Sequence, residues 1–143
     1  GTWLRQFSTP SYKSWSGFSF ESVCHKHIAQ IKKALGIGGV LTEASAWRYQ
    51  PAKDGKEQGV QIDLLIDRQD RCINVCEIKF ASEEFAIAIK YAAELDKKLS
   101  VFQRATGTKK TLFLTMVTTY GVKRNEYFTG RVIAEVMMKH LFR

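Results

Sequence analysis

The sequence predicts a three-layer α/β/α domain built around a mixed central sheet. Three observations carry that expectation. The 143 residues, 45% of them hydrophobic, suit a single domain with a sizeable core, residues 1–143. The periodic segments follow one another as helix, strand, strand, strand, helix, strand, with a further strand near the end. The two strands of the central hairpin are apolar on both parities, as strands covered by helices on both faces should be.

Residues 1–16 hold Trp3, Phe7, Tyr12 and Trp15 among Ser, Thr and Pro without sustained periodicity, and predict an irregular or short helical segment pinned by its aromatics. From Phe18 to Leu35 the apolar residues Phe20, Cys24, Ile28, Ile31 and Leu35 recur three or four apart, one stripe of an amphipathic helix. Gly36 and Gly38-Gly39 close it. Val40 to Tyr49 reads as a strand with Trp47 and Tyr49 on one parity, and Pro51 to Gly59 as a polar turn. Val60–Ile66 and Cys72–Phe80 are the hairpin strands, joined by residues 67–71. Ser82-Glu83-Glu84 looks like a helix start, and Phe85, Ile89, Ala92, Leu95, Leu99 and Phe102 continue a helical pattern over 83–103. Thr111 to Thr118 is a buried strand, Val132 to Val136 a last strand, and Met138 to Phe142 a terminal turn of helix.

Composition narrows the function classes. No apolar run approaches the roughly eighteen residues of a membrane-spanning helix, so no membrane association is expected. Three cysteines cannot all pair within the chain, which points to a reducing, cytoplasmic setting. The start Gly1-Thr2-Trp3-Leu4-Arg5 is neither a signal peptide nor an ordinary initiator, and suggests a piece of a longer protein. Twenty-two Lys plus Arg against fourteen Asp plus Glu leave a formal charge of +8, which permits attraction to phosphate backbones without specifying it. No Ser-His-Asp set, phosphate-binding loop or dinucleotide fingerprint is visible.

The chemistry has to come from the acids. Asp63, Glu77 and Lys79 lie on the two apolar hairpin strands, with Glu77 and Lys79 on one face and Asp63 level with Glu77 to within a residue or two. Charges in such a place need a reason, because an unpaired buried charge costs several kcal/mol on typical estimates. One reading is a structural ion pair of Lys79 with Asp63 or Glu77. The other is a divalent-metal site: two carboxylates on adjacent strands, with a backbone carbonyl such as that of Ile78, supply hard oxygen ligands suited to Mg2+ or Mn2+. The metal would lower the pKa of a water aimed at a phosphodiester, and Lys79 would position that water or stabilise the developing charge.

Asp63 followed, after a hairpin, by Glu77-Ile78-Lys79 resembles the PD-(D/E)xK signature of the restriction-endonuclease-like nucleases. The order of elements matches too, so the resemblance covers residues 17–118 or thereabouts. In that family a preceding helix often contributes another acid, which the resemblance assigns to Glu21. Ile62 stands where the motif's proline would, and many relatives lack that proline. The runs Gly17–Glu21, Gln58–Arg68 and Cys76–Lys79, with the closing His140-Leu141-Phe142, resemble the C-terminal nuclease-like domain of prokaryotic AAA-type ATP-binding proteins. The resemblance implies a metal-dependent DNA nuclease module with an ATPase module in the same full-length chain. Nucleases of this type often dimerise to cut both strands, which leaves room for a homodimer. The alternative is the same fold used without cleavage, as a DNA-binding or protein-docking domain of that ATPase.

Other residues have plainer explanations. Gln61 shares a face with Asp63 but also fits a solvated strand end, and Lys90 and Tyr91 fit helix surface or core as well as a site. His25 and His27 diverge by about 200° on a helix and cannot share a metal, although His25 lies one turn beyond Glu21. Cys72 and Cys76 are some 13 Å apart on one strand face, too far for a disulfide or shared zinc. Asp67 and Asp70 are ordinary hairpin polarity. Lys32-Lys33, Lys97-Lys98, Arg104, Lys109-Lys110 and Lys123-Arg124 are candidate phosphate contacts or solvated faces.

Overall fold

The computed structural model describes residues 10–51 and 59–142, with backbone only for residues 10–16. Helices α1 (Pro10–Lys26) and α2 (Ile28–Ala34) lead into β1 (Thr42–Tyr49), β2 (Val60–Arg68) and β3 (Cys72–Lys79). Helix α3 (Ile89–Thr106), β4 (Thr111–Thr118), β5 (Ala134–Met137) and a 3-10 turn (Met138–Phe142) complete the chain. The five strands form one sheet in sequence order. The β1–β2 and β2–β3 pairs are antiparallel, whereas β3–β4 and β4–β5 are parallel, so the sheet is mixed.

Helices cover both faces, which explains why β2 and β3 are apolar on both parities. On one face Phe20, Cys24 and Ile31 of α1 and α2 meet Leu64, Ile66, Cys76 and Ile78 of the hairpin, with Leu141 closing the end. On the other, Leu95 packs with Leu114 and Met116, and Phe102 with Ile62, Leu65, Ile73 and Val75. The fold is therefore a three-layer α/β/α domain with a mixed sheet, as the element order predicts.

Several boundaries differ from expectation for identifiable reasons. The first helix is longer and is interrupted. It starts by Pro10, inside the segment expected to be irregular or short helix. Trp3, Phe7 and the centre of the 51–59 turn lie outside the described residues, as do the side chains of Tyr12 and Trp15. The helix breaks at His27, whose ring Nδ1 bonds the Val23 carbonyl (2.7 Å) while its backbone N–H donates to Cys24 O (3.0 Å). The side chain thus takes the acceptor the backbone would use, and the turn tightens. Gly36, at φ 76°, then ends α2 as expected. The Ile37 N–H returns to Lys32 O (2.9 Å) and the Gly36 N–H to Lys33 O (3.0 Å), a Schellman closure.

The second long helix starts at Ile89 rather than 83. Residues 81–88 are irregular and bend at Ser82 and Glu83, while Phe85 bridges to Val122 and Thr119 Oγ1 accepts the Ala81 N–H (2.8 Å). The last strand is Ala134–Met137, two residues later than expected at its start. Both Cys76 and Cys24 are fully buried and free, and Cys72 is half-buried and free. Among the described residues no helix is long and apolar enough to cross a membrane.

Candidate functional site

The site forms where the β2–β3 ladder stops. Pairing runs from Asp67↔Ile73 to Leu64↔Cys76, so Asp63 and Glu77 come next and face one another. Their carboxylates take over the backbone donors at that point. The Ile78 N–H donates to Asp63 Oδ2 (2.9 Å), and the Asp63 N–H donates to Glu77 Oε2 (3.3 Å). The neighbouring β1 shows why the ladder is disturbed here. Its partners move from Ser45↔Leu65 to Trp47↔Ile62, so β2 has one residue more than β1 across Asp63 and Leu64. That bulge puts Ile62 with Leu65 in the cluster beneath Phe102 and leaves Asp63 free to turn its carboxylate to Ile78.

Glu77 and Lys79 do share a face, the one covered by α3, but they do not pair with each other. Lys98 of α3 forms a salt bridge with Glu77 Oε1. Lys79 instead lays its ammonium over the Tyr91 ring, 4.6 Å from the centroid. The ion pair of Lys79 with Asp63 or Glu77, one of the two readings of the sequence, is thus absent, and Glu77 pairs instead with Lys98, which the sequence offers as a phosphate contact or a solvated face. A usable signal existed: Lys98 follows Leu95 by three and precedes Phe102 by four, on the buried stripe of α3.

Electrostatics mark the cluster. Glu77, 1% exposed, has its pKa raised by burial and then by the charge of Asp63, with Lys98 pulling the other way. Glu21, half-buried on α1, is likewise raised by burial and by Asp63, and pulled down by His25. Burial, with Glu21 and Asp63 adding to it, pushes the Cys24 thiol up to about 12. His25 contributes through its Nε2–H, which donates to the Asp63 carbonyl (2.9 Å) and ties α1 to the bulge. The Tyr91 phenol is raised by burial and by Glu77 and Asp63, and its hydroxyl is buried with no hydrogen-bond partner among the described residues. Lys90 is exposed, and Gln61 Oε1 accepts from Arg48 (3.3 Å).

The structure therefore joins Asp63, Glu77 and Lys98 by direct bonds, brings Glu21 within electrostatic reach of Asp63, and keeps Lys79 on the same sheet face as Glu77. Among the described residues no group of three or more His, Cys, Asp or Glu side chains is gathered closely enough to hold a metal ion. The donor set still fits Mg2+ or Mn2+, since a hard cation bound through one or two carboxylates keeps water for its other positions. Mutual repulsion of Asp63 and Glu77 is what such a cation would relieve.

Of the basic candidates, Lys32 bonds Val40 O (2.7 Å), Lys110 pairs with Asp67 (2.5 Å) and Arg124 with Glu135 (2.5 Å). Lys33, Lys97, Lys109 and Lys123 are exposed. A cleft of about 360 Å³ follows Lys79, lined by Phe80, Ser82, Glu84, Phe85 and Lys123, but neither Asp63 nor Glu77 lines it.

Comparison with known proteins adds one finding. No family model and no curated protein matches the sequence. The crystal structure of a protein of unknown function, AF1548, superposes with a TM-score of 0.52 at 14% identity, over 79% of this chain. This chain spans 61% of the length of that protein. The likeness shows the α/β fold alone.

Proposed function

We propose that the domain hydrolyses DNA phosphodiesters with a divalent metal, through a PD-(D/E)xK-type site of Asp63, Glu77 and Lys79, as a cytoplasmic module of an AAA-type ATPase. The observation that carries this reading is the pair of carboxylates at the end of the apolar hairpin ladder, Asp63 held by the Ile78 N–H and Glu77 by the Asp63 N–H. A buried Glu77 beside a half-buried Asp63 is a costly arrangement that structure alone does not require. The sequence resemblance supports the nuclease and ATPase parts of the reading, and the charge of +8 fits a phosphate-rich partner. A homodimer remains part of the same proposal.

Asp63 and Glu77, with the Ile78 carbonyl, would hold the Mg2+ or Mn2+ ion, which supplies charge neutralisation at the phosphate and an ionised water at neutral pH. The chain's own groups prepare that chemistry. The Ile78 N–H orients Asp63, and the Asp63 N–H orients Glu77. Lys79, held on the Tyr91 ring rather than on a carboxylate, keeps its ammonium available to orient the attacking water or meet charge building on the phosphate. Glu21, whose carboxyl is biased toward holding its proton, completes the acidic cluster from α1. Exposed Lys33, Lys97, Lys109 and Lys123 would track the DNA backbone.

One observation favours the non-cleaving alternative: in the structure both Glu77 carboxylate oxygens are already engaged, one by Asp63 and the other by Lys98. The deciding experiment incubates the protein with single-stranded, duplex and branched DNA in Mg2+ or Mn2+. Cleavage that falls at least about a hundredfold in Asp63→Ala and Glu77→Ala supports the enzyme, a loss of roughly 2.7 kcal/mol in transition-state stabilisation. Failure to cut any of them refutes cleavage by this domain and leaves the binding role.

A further inference from the structure

Lys98 is placed unlike any other lysine of the described chain. Its side chain is 23% exposed while that of Glu77 is 2% exposed, so the ammonium reaches inward from the rim to a carboxylate that water barely touches. Glu77 Oε2 is taken by the Asp63 N–H, and Oε1 is the oxygen left for a cation. Asp63, whose Oδ2 is held by Ile78, adds a second negative charge beside it. Two facing acids on an apolar sheet need positive charge at all times, or one must take up a proton. Lys79 does not provide it, because its ammonium is over Tyr91. The chain meets that need itself, from α3.

An ammonium and a divalent cation cannot both be held at Glu77 Oε1 without repelling one another. The partial exposure of Lys98 gives it a way out: its flexible four-carbon stem can return the ammonium to solvent while its methylenes stay against α3. We propose that Lys98 is the built-in counter-cation of the site, holding Glu77 while no divalent ion is bound and exchanging with that ion when it arrives. The proposal rests on the metal-site reading of Asp63 and Glu77. It assigns a role to a residue outside the acid-hairpin-acid-x-lysine pattern, and makes metal affinity the small difference between two cations competing for one carboxylate.

The test titrates Mn2+ by calorimetry into the wild type, Lys98→Met and Lys98→Gln at pH 8. It is paired with acetylation footprinting of Lys98 in the wild type, with and without Mg2+ at matched ionic strength. Exposed Lys97 serves as the internal control. The proposal expects Mn2+ to bind the variants about tenfold or more tightly than the wild type, equivalent to roughly 1.4 kcal/mol. It also expects Lys98, and not Lys97, to acetylate several-fold faster when Mg2+ is present. Mn2+ binding by the variants and not by the wild type overturns the exchange, because the lysine would then keep the ion out rather than yield to it. Equal or weaker Mn2+ binding by the variants, with Lys98 labelling unchanged by Mg2+, overturns the counter-cation role while the metal site stands. No Mn2+ binding to any form overturns both. Should the variants fail to fold, labelling of the wild type decides: acceleration by Mg2+ supports the exchange and its absence refutes it.

Discussion

Replacing Lys98 by methionine removes the ammonium but keeps most of the apolar stem, so the loss reports on the charge beside Glu77. The magnitude follows from what a buried acid can do when its partner leaves. Breaking a buried pair typically costs about 3–5 kcal/mol if the remaining charge stays. Glu77, 1% exposed and beside Asp63, has an escape: it can take a proton. Holding that proton costs at most about 1.36 kcal/mol for each pH unit above the ordinary glutamate value of 4.5. The ceiling on destabilisation is therefore about 3.4 kcal/mol at pH 7 and about 0.7 kcal/mol at pH 5. The measured loss should fall below that ceiling, because burial and Asp63 already raise the Glu77 pKa in the wild type. Urea denaturation of both proteins at pH 5 and pH 7, without divalent ions, gives the comparison. A loss of equal size at the two pH values, or none at pH 7, would refute the reasoning that Lys98 neutralises a buried carboxylate.

Three further predictions use the same physics elsewhere. Glu77 and Glu21 both have folded pKa values raised above the unfolded ones, so they favour folding fully below pH 4.5 and progressively less as pH rises through their folded values. In Glu77→Gln this fall should be shallower between pH 4 and 8, read from denaturation curves, and an unchanged slope would count against it. Tyr91→Phe deletes a buried hydroxyl without a hydrogen-bond partner among the described residues, so the variant should be neutral or up to about 1 kcal/mol more stable. A clear drop in Tm would reveal a partner for that hydroxyl. Gly107 ends α3 at φ 66°, with open space where a Cβ would sit, so Gly107→Ala should cost about 1 kcal/mol through backbone strain alone. A thermal melt showing no loss would contradict that assignment.

The residues differ in how plainly they announce their places. The hairpin is legible because Val60 to Ile66 and Cys72 to Phe80 are apolar on both parities, which only doubly covered strands tolerate. Reading Asp63 level with Glu77 needs only the loop length, and the ladder bears it out. The bulge at Asp63–Leu64 has no local signature: it depends on β1, whose Trp47 pairs with Ile62 to fill the cluster under Phe102. The start of α3 misleads because Ser82-Glu83-Glu84 has the composition of a helix N-terminus, while the bridge from Phe85 to Val122 draws that stretch across the sheet end. His27 breaks its helix through a ring hydrogen bond that periodicity does not register. Lys98 looks like any surface lysine until its spacing from Leu95 and Phe102 is set against a buried acid on the facing strand.

The central claim is that Asp63 and Glu77 together hold a catalytic divalent ion. A crystal grown with Mn2+ and measured at an anomalous-scattering wavelength tests it most directly. The account predicts one anomalous peak within about 2.0–2.3 Å of carboxylate oxygens from both Asp63 and Glu77, with Lys98 withdrawn from Glu77. No peak there, with the Lys98–Glu77 salt bridge unchanged at saturating Mn2+, would contradict it.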